Sequence, residues 1–223
     1  MNEDLLIIIP AFNEEKSIGQ VLEGLKTAGF ANITVVDDGS SDQTKKIAIE
    51  NNAKVLAHPV NIGVGGAIST GIAFAKRHSY KYAITLDADG QHAIKDVEKI
   101  LQELKNYSAD IIIGSRLSQL RKKYPLKFTV NLFSNLFVFL LSGKYISDTQ
   151  SGLRGLNRKA IEKLEINTSG HEYCSEIIVS AQKQKLTIKE IPIEAIYTDY
   201  SKRKGQKLSN ALNIMVKLLT HEF

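Results

Sequence analysis

Short hydrophobic runs alternate with amphipathic stretches from the start of the chain. Residues 5–9 form a continuous apolar run, and residues 17–28 carry Ile18, Val21, Leu22 and Leu25 at helical spacing. The same strand-then-helix pattern recurs at residues 33–36 and 42–51, 54–57 and 67–78, and 82–86 and 94–107, with a further strand at 110–113. Because unalternated apolar runs are typical of strands covered on both faces, the pattern predicts an α/β fold with a mostly parallel sheet and helices on both sides.

The pattern becomes irregular after Gly114. An apolar segment of 14 residues covers 128–141 and a turn-rich stretch covers 148–155. Helices are predicted near 158–164 and 175–184, strands at 187–191 and 194–197, and a last helix at 209–219. No linker, internal repeat or low-complexity tract separates these elements from the first half, so we interpret them as a lid region of one domain.

Polar loops follow four of the predicted strands, at residues 10–14, 37–41, 61–66 and 87–92. In a parallel sheet, ligands bind beyond the carboxyl ends of the strands. The four loops are therefore expected to build one site.

Asp87 and Asp89 carry the clearest chemistry, because both emerge directly after an apolar strand. Two hard oxygen ligands this close suit Mg²⁺ or Mn²⁺, which keeps waters or phosphate oxygens in its remaining positions. Such an ion offsets the charge that develops on a leaving diphosphate. Taken alone, an Asp-x-Asp is explained about equally well by a metal site and by a turn at the end of a strand, since Asp and Gly are common in turns.

Asp37 and Asp38 also follow an apolar strand, where acids accept hydrogen bonds from ribose hydroxyls or a base edge. Asp38 is the better ligand candidate, because Ser41 and Asp42 fit the start of the next helix, with Ser41 as its cap.

A glycine-rich loop around Gly65 precedes the next helix. Ala67, Gly71 and Ala75 recur every four positions along that helix, which permits close packing on the sheet. A structural role for the loop is therefore favoured over phosphate binding.

Composition narrows the class of protein. The 223 residues are 43% hydrophobic and contain no run of about 18 apolar residues, so no membrane span is expected. The start of the sequence has no signal-peptide pattern, which predicts a cytoplasmic protein. Cys174 is the only cysteine, which excludes an internal disulfide or a cysteine metal cluster and leaves it as a packing residue.

The net charge of +5 is clustered at residues 121–123 with Lys127 and at residues 202–204 with Lys207. Such clusters attract phosphates on nucleic acids, lipids or diphosphate substrates, or they are simply solvated surface. No aromatic interleaving or helix-turn-helix pattern accompanies them, so we predict no nucleic-acid partner.

Six motifs, taken together, resemble family 2 glycosyltransferases with the GT-A fold, most closely the branch of dolichol-phosphate mannosyltransferase and related polyprenyl-phosphate sugar transferases. They are Pro10-Ala11-Phe12-Asn13-Glu14, Asp37-Asp38-Gly39-Ser40, Asn61-x-Gly63-x-Gly65-x-Ala67, Asp87-Ala88-Asp89-Gly90-Gln91-His92, Gly114-Ser115-Arg116 and Asp148-x-x-Ser151-Gly152-Leu153-Arg154. The resemblance covers nearly the whole chain.

The resemblance implies a nucleotide-sugar-binding half at residues 1–116 and an acceptor and lid half at 117–223. The donor would contact Pro10, Phe12, Asn13, Glu14, Asp37, Asp38, Gly65, Asp87 and Ala88. Asp87, Asp89 and Gln91 would hold Mg²⁺ or Mn²⁺ and the diphosphate, and Arg116, Arg203 and Lys207 would face phosphates. The family's last loop commonly reads Gly-x-Ser-Lys, whereas this chain has Gly205-Gln206-Lys207, so Lys207 is assigned to within one position. The chain has no Trp and so lacks the Gln-x-x-Arg-Trp motif of processive synthases, which favours transfer of a single sugar.

The resemblance also implies inversion at the anomeric carbon. A hydroxyl acceptor needs a general base, whereas a phosphate monoester is already largely anionic at neutral pH. Asp148 is the base candidate outside the metal site, with a turn contact as its alternative role. His171 and Glu172 are interpreted as structural or substrate-positioning residues.

Three functions stay open: a polyprenyl-phosphate sugar transferase, a transferase for glycan or protein hydroxyls, and a non-catalytic nucleotide-sugar binder. The intact Asp87 and Asp89 disfavour the third.

The segment 128–141 bears on the acceptor. As a helix it would extend about 21 Å, which is short of the roughly 30 Å hydrocarbon core of a bilayer. Lys127, Asn131, Ser134 and Asn135 would share one side, whereas Phe133, Phe137, Leu140 and Leu141 would share another. An apolar face beside basic residues suits a helix in an anionic lipid interface, and the resemblance then favours an anionic membrane surface and a lipid-phosphate acceptor as partners. Burial in the core, or in the contact of a homo-oligomer, is the alternative.

Overall fold

A seven-stranded sheet forms the centre of the computed structural model, which describes residues 3–119, 132, 135, 136 and 138–196. The strands are β1 (Leu5–Ala11), β2 (Ile33–Asp37), β3 (Lys54–Ala57), β4 (Tyr82–Thr85), β5 (Ile111–Ser115), β6 (Arg154–Asn157) and β7 (Ile188–Pro192). Their order is β3-β2-β1-β4-β6-β5-β7. Every neighbouring pair is parallel except the two that involve β6. The mostly parallel sheet is therefore confirmed.

Helices cover both faces of this sheet. They are α1 (Ile18–Thr27), α2 (Thr44–Glu50), α3 (Val64–Arg77), α4 (Ile94–Lys105), α5 (Arg158–Lys163) and α6 (Tyr173–Lys183). One hydrophobic core contains buried residues of α1, α2 and α4, and a second contains buried residues of α3, α5 and α6. The sheet separates the two cores, so each central strand is buried on both sides and needs no polar alternation.

The small residues of α3 pack against the sheet as predicted. Ala67 and Ala75 are fully buried, and a Cβ atom at Gly71 would overlap the side chain of Ile8. Cys174 is a buried packing residue, also as predicted.

Strand β6 is the main element that the hydrophobic pattern missed. Its sequence Arg-Gly-Leu-Asn has no strand signal, and the pattern predicts a turn-rich stretch there. Glycine suits this central position because a Cβ atom at Gly155 would overlap Ile100 and Leu104 of α4, so the helix lies close against the strand.

Two local predictions need correction. The strand predicted at 194–197 is, over the described residues to 196, only an isolated bridge between Ala195 and His92. Helix α2 begins at Thr44 with Gln43 at its N-cap position, so Ser41 does not cap it, and the Ser41 hydroxyl donates to Asn13 Oδ1 instead. Asp42 accepts the hydrogen bond from the Thr44 amide.

Strands from both predicted halves share one sheet, because β5 from residues 1–116 pairs with β6 and β7. The predicted helix 209–219, the basic residues at 121–123 and 202–204, Lys127, Asn131, Phe133, Ser134 and Phe137 lie outside the described residues.

Candidate active site

The predicted metal ligands Asp87 and Asp89 lie just beyond the carboxyl end of β4. His92 Nε2 is 3.0 Å from Asp87 Oδ2, and the Gln91 amide donates to Asp89 Oδ1 at 3.0 Å. Gly152 faces the same carboxylate so closely that a Cβ atom there would overlap both oxygens of Asp87. Glycine is therefore required at this position for Asp87 to keep its place.

The negative charges of the two carboxylates repel each other. Burial, followed by the charge of Asp87, raises the pKa of Asp89 to about 6. Burial also opposes ionisation of Asp87, but its hydrogen bond to His92 and the charges of His92, Arg116 and His171 outweigh that effect and lower its pKa. A divalent cation would relieve the repulsion between the two acids, and carboxylate oxygens are the ligands that Mg²⁺ and Mn²⁺ prefer.

The site fits such an ion as an open coordination site, in which the protein would supply only some of the ligands. Within the described part of the chain, no group of three or more His, Cys, Asp or Glu side chains could hold a metal by itself. The remaining positions around an ion held by Asp87 and Asp89 would fall to Gln91, water or phosphate oxygens.

Arg116 and Asp148 form a buried ion pair at the end of β5. The carboxylate of Asp148 is fully buried and accepts hydrogen bonds from the Arg116 amide at 2.9 Å, Nε at 2.8 Å and Nη2 at 2.9 Å. Burial would raise the pKa of Asp148, but the charge and hydrogen bonds of Arg116 lower it. An acid with a lowered pKa and both oxygens bound is a weak base, so these contacts favour the alternative role, in which Asp148 holds Arg116 beside the two carboxylates.

The turn at residues 147–152, which carries Asp148 and Gly152, is held by side chains from three directions. Glu190 of β7 accepts hydrogen bonds from the amides of Ser147 and Asp148. Arg154 of β6, which is fully buried, donates to the carbonyls of Thr149 at 2.7 Å and Ser151 at 2.9 Å. Asn135, on a helical part of the 128–141 segment, supplies the third set of contacts.

The first two strand-end loops brace each other by short polar contacts. Asn13 has a left-handed backbone, with φ of 54°, and its side chain accepts from the Ser41 amide at 2.9 Å. The Asn13 amide donates to Ser40 Oγ at 3.0 Å, and the Glu14 amide donates to Thr44 Oγ1 at 2.7 Å. The side chains of Asn13 and Ser40 therefore hold the first two loops together.

The hydrogen bonds of the two neighbouring acids favour Asp37 over Asp38 as the ligand. Asp38 accepts from the amides of Ile62 and Gly63, and its Oδ1 lies 2.7 Å from His58 Nδ1. It therefore orders the glycine-rich loop. Asp37 Oδ1 is the one buried carboxylate oxygen without a hydrogen-bond partner among the described residues, which suits it to accept from a bound ligand.

The glycine-rich loop at Gly65 is bonded to and packed against another part of the chain. The Gly65 amide donates to the Ser169 carbonyl at 2.7 Å, and Cβ atoms at Gly63 and Gly65 would overlap the backbone of residues 168–169. Glu176 in turn accepts from the amides of Asn167 and Thr168. These contacts favour the structural role for the glycines.

The other predicted donor-binding residues differ in access. Pro10 and Ala88 are buried, whereas Phe12 is 44% exposed beside the first loop. Glu14 bonds Ser17 Oγ at 2.7 Å, and its charge contributes to the raised pKa of Asp89, so it lies near the metal ligands. Arg203 and Lys207 lie outside the described residues.

Sequence reasoning gave no role in this site to His92, Gly152 and Glu190, and it placed Asn135 on the polar side of the 128–141 helix, whereas Asn135 is buried, at 1% exposed. His92 and Gly152 stand inside quoted motifs, so a signal for them was present. Glu190 and Asn135 reach the site only through the tertiary fold, which a single sequence does not reveal.

Comparisons with known proteins agree with this geometry. Residues 6–165 match Glycosyl transferase family 2. The chain belongs to this family. It is 40% identical to UDP-N-acetylglucosamine–dolichyl-phosphate N-acetylglucosaminyltransferase of Methanococcus voltae, over 96% of this chain and 94% of the relative. It is 27% identical to polyprenol monophosphomannose synthase of Mycolicibacterium smegmatis, over 93% of this chain and 83% of the relative. The chain is therefore a glycosyltransferase with relatives in the polyprenyl-phosphate branch.

Solved structures support the GT-A fold. Glucosyl-3-phosphoglycerate synthase of Mycobacterium tuberculosis, in complex with phosphoglyceric acid, aligns with a TM-score of 0.76 at 16% identity, over 96% of this chain and 77% of that chain. The same enzyme in complex with Mn²⁺, uridine diphosphate and its glucosylated product aligns with a TM-score of 0.71. At this identity the likeness establishes the fold.

The described residues include no helix that is both long and apolar enough to cross a membrane.

Proposed function

We propose that this glycosyltransferase moves one sugar from a nucleotide sugar to a polyprenyl phosphate at the cytoplasmic face of a membrane, with inversion at the anomeric carbon. The observation that carries the proposal is the pair Asp87 and Asp89, with the Arg116–Asp148 ion pair beside it. This site concentrates two acids for a metal ion and one guanidinium for phosphate oxygens.

On the donor side, we propose that Asp87 and Asp89, with Gln91, hold Mg²⁺ or Mn²⁺ against the diphosphate. When bound, the ion stabilises the negative charge of the departing nucleoside diphosphate. Asp37 accepts from the nucleoside, and Phe12 covers it with its exposed ring. The relative from Methanococcus voltae, which is named for a UDP-sugar, favours UDP over GDP as the nucleotide.

On the acceptor side, the engagement of Asp148 with Arg116 favours a phosphate nucleophile. A phosphate monoester is already anionic near neutral pH and needs no general base, whereas a hydroxyl would need one. Arg116 binds such an acceptor by charge, and Arg203 and Lys207 are proposed to bind phosphates from the last loop. A transferase for glycan or protein hydroxyls is the alternative.

The proposal of a membrane surface is supported by an exposed apolar face. Leu136 is 52% exposed, Phe139 40% and Leu140 73%, although residues 135, 136 and 138–142 are helical and Val138 is buried. Exposed leucine and phenylalanine on one helical surface suit contact with lipid.

Two measurements test the proposal. For the donor, thermal stability is followed with UDP-, GDP- and dTDP-sugars, with and without Mn²⁺, because a ligand that binds the native state raises its stability. We expect a UDP-sugar with Mn²⁺ to stabilise the wild type, and Asp89→Asn to lose that stabilisation and the transfer activity while keeping its own fold. Equal turnover by Asp89→Asn, or full activity in EDTA, would contradict the metal site.

For the acceptor, transfer and co-sedimentation are measured with anionic vesicles that contain polyprenyl phosphate. Leu136→Ser with Leu140→Ser should reduce both, whereas Ile49→Ser, at an equally exposed apolar position on α2, is the control. A wild type that ignores vesicles and uses only water-soluble hydroxyl acceptors would favour the alternative.

A further inference from the structure

Asn135 is a buried polar residue in a helical segment whose Leu136 and Leu140 are exposed and apolar. It is 1% exposed, whereas its neighbour Leu136 is 52% exposed. Here the 135–142 segment denotes the described helical residues 135, 136 and 138–142. An amide in the interior is costly unless its donor and its acceptor are both bonded.

Among the described residues, the hydrogen bonds of this amide go to the turn that carries Asp148. Asn135 Nδ2 donates to the Ser147 carbonyl at 2.6 Å. Asn135 Oδ1 accepts from the Thr149 amide at 3.1 Å and from Thr149 Oγ1 at 2.9 Å. These bonds thus hold the residues immediately before and after Asp148. Asp148 is the residue that orients the guanidinium of Arg116.

We propose that Asn135 is a positioning residue that couples the 135–142 segment to the Arg116–Asp148 pair. Contact of the segment with a lipid surface then orders the turn at 147–152, and so fixes Arg116 for the acceptor phosphate. The coupling to lipid rests on the proposed function, whereas the positioning of Asp148 rests on the hydrogen bonds alone.

Ser142 offers a matched control in the same segment. Within the described part of the chain its hydroxyl bonds nearby backbone, donating to Val138 O at 2.8 Å and accepting from the Lys144 amide at 3.2 Å. Ser142→Ala therefore removes a polar contact of the segment without touching the turn. Thr149 offers a second route to the same contact, because Thr149→Val removes its hydroxyl bond to Asn135 and Thr149→Ser keeps it.

The first test follows hydrogen–deuterium exchange of peptides that cover residues 144–153, without vesicles. Asn135→Ala and Thr149→Val should speed exchange there, while peptides over residues 33–44 on the donor side stay unchanged. Ser142→Ala and Thr149→Ser should behave as wild type. Unchanged exchange at 144–153 in both Asn135→Ala and Thr149→Val would overturn the proposal, as would an equal increase over the whole chain.

The second test adds anionic vesicles. In the wild type they should slow exchange in the 135–142 segment and at 144–153, and in Asn135→Ala only in the segment. Protection at 144–153 that survives in Asn135→Ala would overturn the coupling. If vesicles do not slow exchange in the wild type, the proposed membrane contact and the coupling to lipid are contradicted. The first test still decides the positioning role.

Kinetics give an independent measure. Displacing a residue that orients a catalytic group commonly lowers activity by roughly 10- to 100-fold. Asn135→Ala should lower kcat for transfer to polyprenyl phosphate by a factor within that range and leave the affinity for UDP with Mn²⁺ unchanged. Leu136→Ser with Leu140→Ser should instead raise the KM for acceptor in vesicles. A kcat for Asn135→Ala equal to that of Ser142→Ala would count against the proposal.

Discussion

The donor side and the acceptor side of the active site are held in place by different shares of neutral and charged contacts. On the donor side, neutral side chains and backbone amides brace the first two loops, as Asn13 and Ser41 do, and one buried carboxylate, that of Asp38, orders the glycine-rich loop. On the acceptor side, charged side chains fix one turn, with Arg154 and Asp148 fully buried and the half-buried Glu190 bonded to the amides of Ser147 and Asp148. Neutral contacts are weak one by one, whereas a buried charge that loses its partner is strongly destabilising. The acceptor side should therefore be the more sensitive to single changes and to acid.

Gly152→Ala should have the largest effect, because it acts where the two sides meet. The new methyl group would overlap the carboxylate of Asp87, so that carboxylate must move. Misplacing a reacting group by about 1 Å can cost roughly 100-fold in rate, and we expect a loss of that size in transfer together with weaker Mn²⁺ binding.

Gly143→Ala is the control, because Gly143 lies in open space, where a methyl group meets nothing, although its left-handed backbone, with φ of 68°, makes the change strained. It should lose stability but keep activity and Mn²⁺ affinity. The measurements are steady-state transfer and titration with Mn²⁺, and normal Mn²⁺ affinity in Gly152→Ala would contradict the contact with Asp87.

The donor side could be predicted from the sequence largely because it obeys one rule. Its strands are parallel and apolar, so the loops that hold Asp37 and Asp87 had to meet at one edge of the sheet. What the rule did not give is which acid is already engaged, since Asp38 is bound by amides from residues 62 and 63, far along the chain.

The acceptor side escaped prediction for a physical reason. Strand β6 runs against its neighbours and is built around a buried arginine and a glycine, which no periodicity marks. Its place is determined by the close approach of α4 and by the bonds of Arg154 to its own turn. The motif at residues 148–154 therefore indicated a functional segment but not its structure.

Acid should loosen the contacts that join Asp110 to residues 157, 159 and 187 before it loosens the donor-side loops. Asp110, just before β5, bonds Asn157 Nδ2 at 2.9 Å, Lys159 Nζ at 2.9 Å and the Thr187 amide at 2.8 Å. Burial opposes its ionisation, but these hydrogen bonds outweigh burial and hold its pKa at about 2, below the usual value of 3.8.

A lowered pKa in the folded state means that the stabilisation is complete above the unfolded value and is lost as the pH falls from about 4 through 2. We expect about 2 kcal/mol of unfolding free energy to disappear over that range. Hydrogen exchange near residues 157 and 187 should rise first, and in Asp110→Asn the pH dependence should be weaker. Earlier opening of residues 33–44 would contradict the comparison.

Proton competition should weaken metal binding below pH 6. Because the pKa of Asp89 is raised to about 6, this carboxylate is increasingly protonated as the pH falls through that value. Each unit below it should lower the apparent affinity for Mn²⁺ by about tenfold if one proton is displaced.

In EDTA, where no metal is bound, a fall in pH should instead raise the stability of the fold. A raised pKa means that the ionised acid destabilises the fold, so the metal-free protein should gain stability from Asp89 as the pH falls through 6, and Asp89→Asn should lack that gain. An Mn²⁺ affinity that is flat between pH 7 and 5 would contradict the pairing of Asp87 with Asp89.

Substitutions at Asn13 should have the smallest effect and separate backbone strain from hydrogen bonding on the donor side. Asn13 adopts a left-handed backbone with φ of 54°, which Gly also accepts readily and Ala does not. Asn13→Gly removes the bond to the Ser41 amide and keeps the backbone, so about 1 kcal/mol of stability should be lost. Asn13→Ala should lose roughly 1 kcal/mol more through strain. Chemical unfolding measures both, and transfer by Asn13→Gly with saturating donor should stay near wild type, because glycine keeps the left-handed backbone of the loop. If Asn13→Gly instead lowered kcat as much as Gly152→Ala, the donor side would not be the more tolerant region, and Asn13 would belong among the residues that contact the donor.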